Sequence, residues 1–318
     1  MAEGGTGYGH RINTARSRDL YGPYESSPYN PVMKQNDPEN QIQRCGHGKI
    51  FQTQNGDWYC TYLCGRRNGG NYTTIGRETA LDPVEWTKDG WFIINGGKPS
   101  NKQLFPDLEE TIYEKQYFDD FDSDTLPLFW EWVRNPDKNN YSLTERKGYM
   151  RLYTSPHKIN DVHCKNILVR REEELNYDAK TKIDFDPKES GSSAGITCYY
   201  STATYARCGV SYENGKCIEL VINRNKGEET IARVNNIKKG ELYLCVKVRN
   251  LTRSFYYSYD NKEWFLIGTL ENCIYLCDEG VPEDRKRHTG TLTGIYAVSD
   301  SPDIRTYADF DFFDYSDI

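Results

Sequence analysis

The chain of 318 residues is acidic, with a net charge of −7, and 14% of its residues are aromatic, including 25 tyrosines. The acidic charge argues against a nucleic-acid partner, which requires a basic patch, and against attraction to an anionic membrane. No stretch approaches the roughly 20 apolar residues of a membrane-spanning helix. The many tyrosines, with a mean hydropathy of −0.81, indicate β-sheet architecture, because aromatic side chains pack well on a pleated surface.

The first residues and the cysteines suggest a cellular location. Residues 1–6 lack a basic segment followed by an apolar one, so no signal peptide is visible and a cytoplasmic location is expected. The pairs Cys60/Cys64 and Cys273/Cys277 have three residues between them, and neither has the matching second pair of a zinc site. The ten cysteines are therefore predicted to be buried thiols in a reducing compartment.

Residues 1–98 contain short apolar runs separated by Gly, Pro and Asn turns, which predicts strands. Antiparallel four-stranded blades of about 40–50 residues are typical of β-propellers. This segment is therefore predicted to be about two blades of a propeller. Two blades cannot close a ring, so the propeller is expected to be partial. The predicted strands span residues 12–16, 50–54, 58–63, 72–78 and 91–94.

The clearest local signal in this segment is a β-hairpin. Asn55-Gly56 lies between two runs rich in β-branched and aromatic residues, and this dipeptide favours turns in which both central residues have positive φ. The first strand begins with Gly46-His47-Gly48. A histidine between two glycines suits a side chain that faces a cavity or ligand. The alternative is a histidine hydrogen-bonded within a local turn.

Residues 99–118 are polar and acidic and are predicted to be a linker. Residues 119–318 differ, because strands follow one another at regular spacing without helical segments, which predicts a β-sandwich. Acidic–aromatic alternation opens this segment at residues 119–122 and closes it at 309–313, so these two ends are predicted to be neighbouring strands. The predicted strands span 149–153, 166–170, 179–186, 194–200, 207–212, 217–223, 230–234, 243–248, 254–259, 264–270, 291–298 and 308–314.

Several motifs in this order resemble glycoside hydrolase family 43, in particular β-xylosidases and α-L-arabinofuranosidases with a concanavalin-like C-terminal sandwich. The resemblance implies an all-β chain, with the last blades of a five-bladed propeller in residues 1–98 and a concanavalin-like sandwich in residues 119–318. The motifs are Glu3-Gly4-Gly5-Thr6, His10, Thr14-Ala15-Arg16-Ser17, residues 20–25, Gly46-His47-Gly48, Gly76-Arg77-Glu78-Thr79, Val84-Glu85-Trp86, Asp89-Gly90-Trp91, Asp119-Asp120-Phe121 and residues 308–311.

The resemblance implies an inverting glycosidase, which needs a general acid and a general base about 6.5–9.5 Å apart with a water between them. In the family these carboxyl groups come from earlier blades, and the acid lies just before the Glu-Gly-Gly-Thr motif. Since this chain begins at Met1, directly before that motif, the resemblance implies no catalytic residue here and no hydrolysis by the chain alone. Glu3 is a possible substitute; the alternative is a structural carboxylate in a turn.

The resemblance also implies substrate-binding residues. Arg77 matches the arginine that reaches the sugar, and its planar guanidinium suits two adjacent hydroxyls or a carboxylate. The alternative is a strand arginine paired with Glu78 or Asp82. His47 matches the histidine of the propeller channel, where a hydrated calcium is a possible cofactor, and Thr6 would line the same pocket. The cation at Lys49, where relatives often carry an acid, weakens the calcium prediction through repulsion.

In the sandwich, His288-Thr289-Gly290 matches the Phe-Thr-Gly pattern that sends an aromatic ring toward the active site in relatives. His288 is therefore a candidate substrate contact, and the alternative is a surface-loop histidine. The tyrosines at 199, 200, 256 and 257 could form a carbohydrate-binding face. The alternative for them is packing in the core and across strands.

Together these observations predict part of a hydrolase of xylan-derived substrates, either xylo-oligosaccharides or arabinofuranosides. A second chain that supplies the missing blades is a possible partner. The alternative function is an accessory sandwich module that binds carbohydrate without cleaving it.

Overall fold

The computed structural model describes residues 1–5, 7–103, 106–111, 115–300 and 303–317. Contacts divide the chain into two compact units, Met1–Tyr113 and Glu114–Ile318. The predicted domain bounds of 1–98 and 119–318, with a linker between them, stay a prediction. The described residues contain strands and short 3-10 turns but no α-helix, which confirms an all-β chain. In that part of the chain no helix is long and apolar enough to cross a membrane.

The N-terminal unit is built from small antiparallel sheets. Strands β1, β2 and β5 form one sheet, β3 and β4 pair separately, and β6 to β9 form a four-stranded sheet in chain order, as in a propeller blade. The strands are β1 (Ala2–Glu3), β2 (Arg11–Ile12), β3 (Ala15–Arg16), β4 (Glu25–Ser26), β5 (Met33–Lys34), β6 (Ile42–Gln52), β7 (Trp58–Arg66), β8 (Arg77–Trp86) and β9 (Phe92–Ile94).

The hairpin predicted at Asn55-Gly56 is present as β6 and β7, but its turn differs from the expected one. Gly56 has a φ of 93°, whereas Asn55 is not among the residues with positive φ. The amide of Thr53 donates to the Asp57 carbonyl at 2.8 Å, and the amide of Gly56 donates to the Thr53 carbonyl at 3.0 Å. The longer loop therefore needs one left-handed residue, which is the glycine.

The predicted strand at residues 72–78 is wrong. The amide of Gly76 donates to the Thr73 carbonyl at 2.9 Å, and Gly76 has a φ of 84°, so this stretch is a turn. The strand begins at Arg77 and continues through Pro83 to Trp86. The β-branched side chains of residues 73–75 suggested a strand, but they are buried inside the turn.

The C-terminal unit is a two-sheet sandwich. One sheet has the order β12-β13-β24-β15-β20-β21-β22, with β10 also pairing β24, and the other has the order β11-β14-β23-β16-β17-β18-β19. The strands are β10 (Phe118–Asp119), β11 (Glu131–Trp132), β12 (Tyr141–Ser142), β13 (Met150–Tyr153), β14 (Ile167–Arg171), β15 (Asn176–Asp184), β16 (Ser193–Ser201), β17 (Thr204–Tyr212), β18 (Lys216–Arg224), β19 (Glu228–Val234), β20 (Leu242–Arg249), β21 (Thr252–Ser258), β22 (Phe265–Leu270), β23 (Leu292–Val298) and β24 (Tyr307–Asp317).

The main core lies between these sheets and contains buried side chains from both, including Ile183 and Phe313 from the first sheet and Ile196 and Ile295 from the second. Residues of β15 alternate between buried and half-buried, as expected for a strand with one face on the core. The two acidic–aromatic ends are neighbours, because Phe118 pairs with Asp314 and Asp119 with Phe313. This confirms that prediction.

The central strand β16 of the second sheet is buried on both faces. A further apolar cluster covers its outer side and includes Tyr199, Tyr205, Tyr296 and the loop residues Ile159 and Cys164. Every residue of β16 is therefore buried, which explains why this strand shows no polar alternation. All ten cysteines are free and buried, which confirms the prediction of buried thiols.

Candidate functional site

Arg77 stands at the first position of β8 and is half-buried. Its Nη2 atom is buried and has no hydrogen-bond partner in the part of the chain that the structure describes. Neither expected acidic partner is available to it: Glu78 pairs with Arg66, and Asp82 accepts hydrogen bonds from Tyr62 at 2.6 Å and from Ser100. The pairing that sequence reasoning offered as the alternative for Arg77 is therefore wrong.

His10 is a buried histidine whose ring is influenced by the charges of Arg77 and His47. Its imidazole is 6% exposed, and its Nδ1 lies 3.0 Å from the carbonyl oxygen of Arg44. The ring packs directly on Gly46, where an added Cβ would come within 2.2 Å of the imidazole Nε2. The charges of Arg77 and His47 both act on the His10 ring. The fold thus gathers two of the predicted site residues around a third histidine.

His47 occupies a β-bulge. The register between β6 and β7 shifts between the pairs Gly46–Leu63 and Lys49–Thr61, which leaves one extra residue on β6. His47 has a φ of 54° and is exposed. The bulge turns the imidazole out of the strand alternation. The two flanking glycines allow neighbouring side chains to approach, because an added Cβ would lie 2.2 Å from His10 Nε2 at Gly46 and 2.5 Å from Ile12 Cδ1 at Gly48. The Gly46-His47-Gly48 sequence therefore marks a β-bulge at which the histidine has a positive φ.

Two other predicted residues remain. Thr6 lies outside the described residues, so its predicted role stays a prediction. His288 belongs to the C-terminal unit and has a φ of 60°. Its ring Nδ1 lies 2.9 Å from Asp278 Oδ2, and its amide donates to Asp278 Oδ1 at 2.9 Å. His288 is thus held in one orientation by a carboxylate.

The carboxylate that holds His288 is ionised more readily than usual. Burial acts to raise the pKa of Asp278. The hydrogen bonds from the Tyr200 hydroxyl and from the backbone and ring of His288 outweigh burial and leave that pKa below its ordinary value. An ionised Asp278 fixes the hydrogen on Nδ1 of His288 and directs Nε2 away from this carboxylate. The role of His288 as a substrate contact stays a prediction.

Glu3 does not have the surroundings of a catalytic carboxyl. It is exposed, one carboxylate oxygen lies 2.8 Å from Arg11 Nη2, and the other accepts a hydrogen bond from Asn13. A catalytic acid needs a raised pKa from burial or from a neighbouring carboxylate, and Glu3 has an arginine instead. The geometry supports its reading as a structural carboxylate.

The residues around His47 do not fit a directly bound calcium ion. Calcium takes six to eight oxygen ligands, whereas the groups gathered here are the imidazoles of His10 and His47 and the guanidinium of Arg77. Across the described residues, no group of three or more His, Cys, Asp or Glu side chains could hold a metal ion. No chemical step is therefore assigned to calcium.

Sequence reasoning placed His10 in a motif but gave it no role. The signal that could have identified it is the pairing of a buried histidine with a glycine on another strand, which requires knowledge of which strands are adjacent. The partnership of Asp278 with His288 was also missed. These residues lie ten positions apart in a segment without strands, so no strand periodicity in the sequence relates them.

We expect the N-terminal unit to lose stability as the pH falls below about 6.5, the ordinary histidine pKa. Burial lowers the pKa of His10, and the charges of Arg77 and His47 lower it further, against the opposing hydrogen bond to Arg44. Below about pH 6.5 the unfolded chain therefore binds more protons than the folded unit does. The contribution of His10 to stability is present above about pH 6.5 and is lost as the pH falls from there toward the lowered pKa of the folded unit.

The measurement is urea unfolding at pH 7.5 and pH 5.5, with hydrogen exchange of peptides from residues 1–100 to report on this unit. His10→Gln should flatten the loss of stability between the two pH values. An equal loss in the wild type and in His10→Gln would contradict the assignment to His10.

Comparison with protein-family models agrees with this architecture. Residues 1–92 match the model of glycosyl hydrolases family 43, and residues 118–316 match the β-xylosidase C-terminal concanavalin A-like domain. The chain belongs to glycoside hydrolase family 43. The two matches confirm the predicted fold, which is a propeller-type segment followed by a concanavalin-like sandwich.

Curated members of family 43 align along nearly the whole chain. The non-reducing end α-L-arabinofuranosidase BoGH43B of Bacteroides ovatus is 31% identical over 99% of this chain and 59% of its own length. The β-xylosidase of Bacillus subtilis is 30% identical over 99% of this chain and 62% of its own length. The chain thus spans about three fifths of the length of these family 43 relatives.

A solved family 43 structure is also similar. The GH43 protein BlXynB of Bacillus licheniformis is 51% identical, with a TM-score of 0.95 over 99% of this chain and 61% of that protein. This similarity covers both units of the chain.

Proposed function

We propose that this chain supplies the substrate-holding part of a hydrolase that acts on β-D-xylosides or α-L-arabinofuranosides. The observation that carries the proposal is the buried Nη2 of Arg77, which has no partner among the described residues. A buried donor without an acceptor costs about 1–3 kcal/mol. A sugar with two adjacent hydroxyls would supply acceptors to the planar guanidinium.

The surroundings of Arg77 support a neutral ligand. His10 is kept neutral by the effects that lower its pKa, so it adds no second positive charge beside Arg77. With Nδ1 bonded to the Arg44 carbonyl, the remaining Nε2 of a neutral His10 is a hydrogen-bond acceptor. The relatives that align with this chain are named as a β-xylosidase and an arabinofuranosidase, and both act on neutral pentosides according to those names.

We also propose that the chain by itself does not turn over these substrates. An inverting mechanism needs two carboxyl groups with a water between them. Glu3, the substitute suggested by its motif, is tied to Arg11 and Asn13. The test is incubation with nitrophenyl β-D-xyloside and nitrophenyl α-L-arabinofuranoside. Release of nitrophenol by the purified chain, above an uncatalysed control, would refute this part of the proposal.

A second polypeptide that supplies the two carboxyl groups stays a prediction. Mixing the chain with the part of the B. subtilis β-xylosidase that it does not match would support such a partner if turnover appears only in the mixture.

We further propose that the protein works in a reducing compartment, which is supported by the ten free, buried cysteines.

Replacing Arg77 should weaken sugar binding without unfolding the unit. Hydrogen bonds to charged groups contribute about 1.5–3 kcal/mol, so Arg77→Gln should lower the affinity for xylobiose or L-arabinose about tenfold or more. Calorimetric titration of the full chain measures this. Arg67→Gln is the matched control, because Arg67 in the same unit is paired with Glu39 at 3.1 Å. Equal affinities of the wild type and Arg77→Gln, or absence of binding by the wild type, would contradict the proposed site.

A further inference from the structure

The C-terminal unit carries a small polar pocket on its second sheet. Its volume is about 180 Å³. Sites for drug-sized ligands usually have volumes of about 300–1,000 Å³, so this pocket suits a ligand no larger than one sugar ring. Polar side chains make up most of its lining, among them Ser192, Ser193, Arg207, Ser211 and Glu228. We call it the serine pocket.

Strand pairing directs the polar side chains of the serine pocket away from the main core. Ser193 of β16 pairs with Ser211 of β17. Their neighbours Ala194 and Val210 belong to the core between the two sheets, so the two serines face the other side. Arg207 lies four residues before Ser211 on the same strand and shares its face. The serine pocket therefore opens on the outer face of the sheet.

The charged groups that line the serine pocket nearly compensate one another. Of the described lining residues, four are acidic and two are basic, which disfavours an anionic ligand. Three of the four carboxylates already have a cationic partner, which leaves little free negative charge for a cation. The lining therefore favours a neutral ligand. The three pairs are Glu228 with Arg207 at 3.1 Å, Glu219 with Arg233 at 2.6 Å and Asp300 with Lys158 at 3.7 Å.

The hydrogen-bonding groups of the serine pocket are held in place before any ligand arrives. Ser211 Oγ donates to Glu219 Oε2 at 2.8 Å, and Arg207 Nη1 donates to Ser193 Oγ at 3.2 Å. Groups that are already ordered lose less conformational entropy on binding. Hydroxyl and carboxylate oxygens have several lone pairs each, so these groups can still accept hydrogen bonds from the hydroxyls of a ligand.

One hydroxyl group of the serine pocket lacks a hydrogen-bond partner. Ser192 is 2% exposed, and its Oγ has no partner among the described residues. A buried hydroxyl without a partner is unfavourable. Because Ser192 lines the serine pocket, a ligand hydroxyl bound there would supply the missing hydrogen bond.

We propose that the serine pocket binds a neutral monosaccharide, namely the free pentose that the proposed hydrolase reaction releases. A pentose carries no charge, and its hydroxyl groups both donate and accept hydrogen bonds, as the serines and carboxylates of the lining require. The identity of the sugar rests on the proposed function. The site itself goes beyond that function, because no bond is cleaved there and no residue of the N-terminal unit takes part.

The test is hydrogen exchange of the full-length chain, because this measurement reports where a ligand binds. D-xylose should slow exchange in peptides from residues 191–213, and the effect should saturate with concentration. Sucrose is the control, because it is larger than one ring and stabilises proteins generally by exclusion from their surface. It should slow exchange no more in these peptides than elsewhere. Absence of a localised, saturable effect of D-xylose would overturn the proposal.

Ser192→Ala locates the effect at the serine pocket. It should weaken D-xylose binding about threefold to tenfold, the range for one hydrogen bond between neutral groups. The thermal unfolding midpoint should stay unchanged, because the Ser192 hydroxyl has no partner to lose among the described residues. Ser254→Ala is the matched control, since Ser254 lies on β21 of the other sheet, and it should bind D-xylose like the wild type. Equal affinities of Ser192→Ala and Ser254→Ala would overturn the proposal.

Charged probes and Arg77→Gln complete the test. Acetate and ethanolamine carry opposite charges at neutral pH, and protection of residues 191–213 by either one at a lower concentration than D-xylose would overturn the assignment to a neutral ligand. The effect of D-xylose on these peptides should be unchanged in Arg77→Gln. Failure of the site at Arg77 would leave that effect intact, and failure of the serine pocket would leave the titration with xylobiose intact, so the two failures are distinguishable.

Discussion

Glu172→Gln should lower the unfolding free energy of the C-terminal unit by about 3–5 kcal/mol. Arg253 and Glu172 form an ion pair inside the sandwich, with side chains 0% and 2% exposed and Nη2 at 3.0 Å from both carboxylate oxygens. The Tyr177 hydroxyl also donates to Glu172 at 2.7 Å. Removing the negative charge leaves a buried guanidinium whose Nε and Nη1 have no hydrogen-bond partner among the described residues.

The measurement is chemical unfolding, with hydrogen exchange of peptides from residues 167–184 to report on this unit. Glu219→Gln is the matched control, because the pair of Glu219 with Arg233 is partly exposed and should contribute at most about 1 kcal/mol. The double substitution Glu172→Leu with Arg253→Met should recover much of the loss, since a buried pair replaced by apolar groups is often neutral. If Glu172→Gln lowers the unfolding free energy no more than Glu219→Gln does, the buried ion pair does not stabilise the unit as proposed.

Gly46→Ala should destabilise the N-terminal unit by about 1–3 kcal/mol, the usual cost of overpacking. The added Cβ would lie 2.2 Å from His10 Nε2 and 2.3 Å from the adjacent ring carbon, so the imidazole must move. Because the charge of Arg77 acts on the His10 ring, displacement of His10 should also weaken sugar binding at Arg77. Urea unfolding and titration with xylobiose measure the two effects.

A second substitution shows whether the clash is with His10. In His10→Ala the space beside Gly46 is empty, so adding Gly46→Ala should cost much less than it does in the wild type. The double-mutant cycle should therefore give a coupling energy of about 1 kcal/mol or more. Gly7→Ala is the control, since nothing lies within 4 Å of its added Cβ. Additive effects of Gly46→Ala and His10→Ala would refute the contact.

The sandwich strands could be predicted well from the sequence because their pattern is local. The alternation in residues 179–186 reappears as the buried and half-buried positions of β15, and Asn214-Gly215 lies at the turn between β17 and β18. Even so, β16 has no alternation, since apolar groups cover both faces of its sheet. Tyr199 and Tyr200 are therefore buried, which agrees with the alternative of core and cross-strand packing for these two tyrosines.

The N-terminal unit was harder to predict because many of its strands have two residues, too few for a periodic pattern. The run at residues 72–78 has the composition of a strand, but Gly76 ends a turn within it. Residues 1–98 contain one complete four-stranded sheet, whereas the earlier part of this segment forms shorter pairs. Which short pairs form depends on neighbours that are distant along the chain.

By itself, the sequence determined the all-β class, most sandwich strands and the family, because alternation, turn residues and ordered motifs are properties of short segments. It also indicated Arg77 and His47. Only the tertiary structure decided that the charges of these two residues act on a buried His10, that Glu3 is paired with Arg11, and that Asp278 holds His288. Such groupings bring together residues that are distant along the chain. Their interaction free energies depend on the tertiary fold, so no short sequence pattern reveals them.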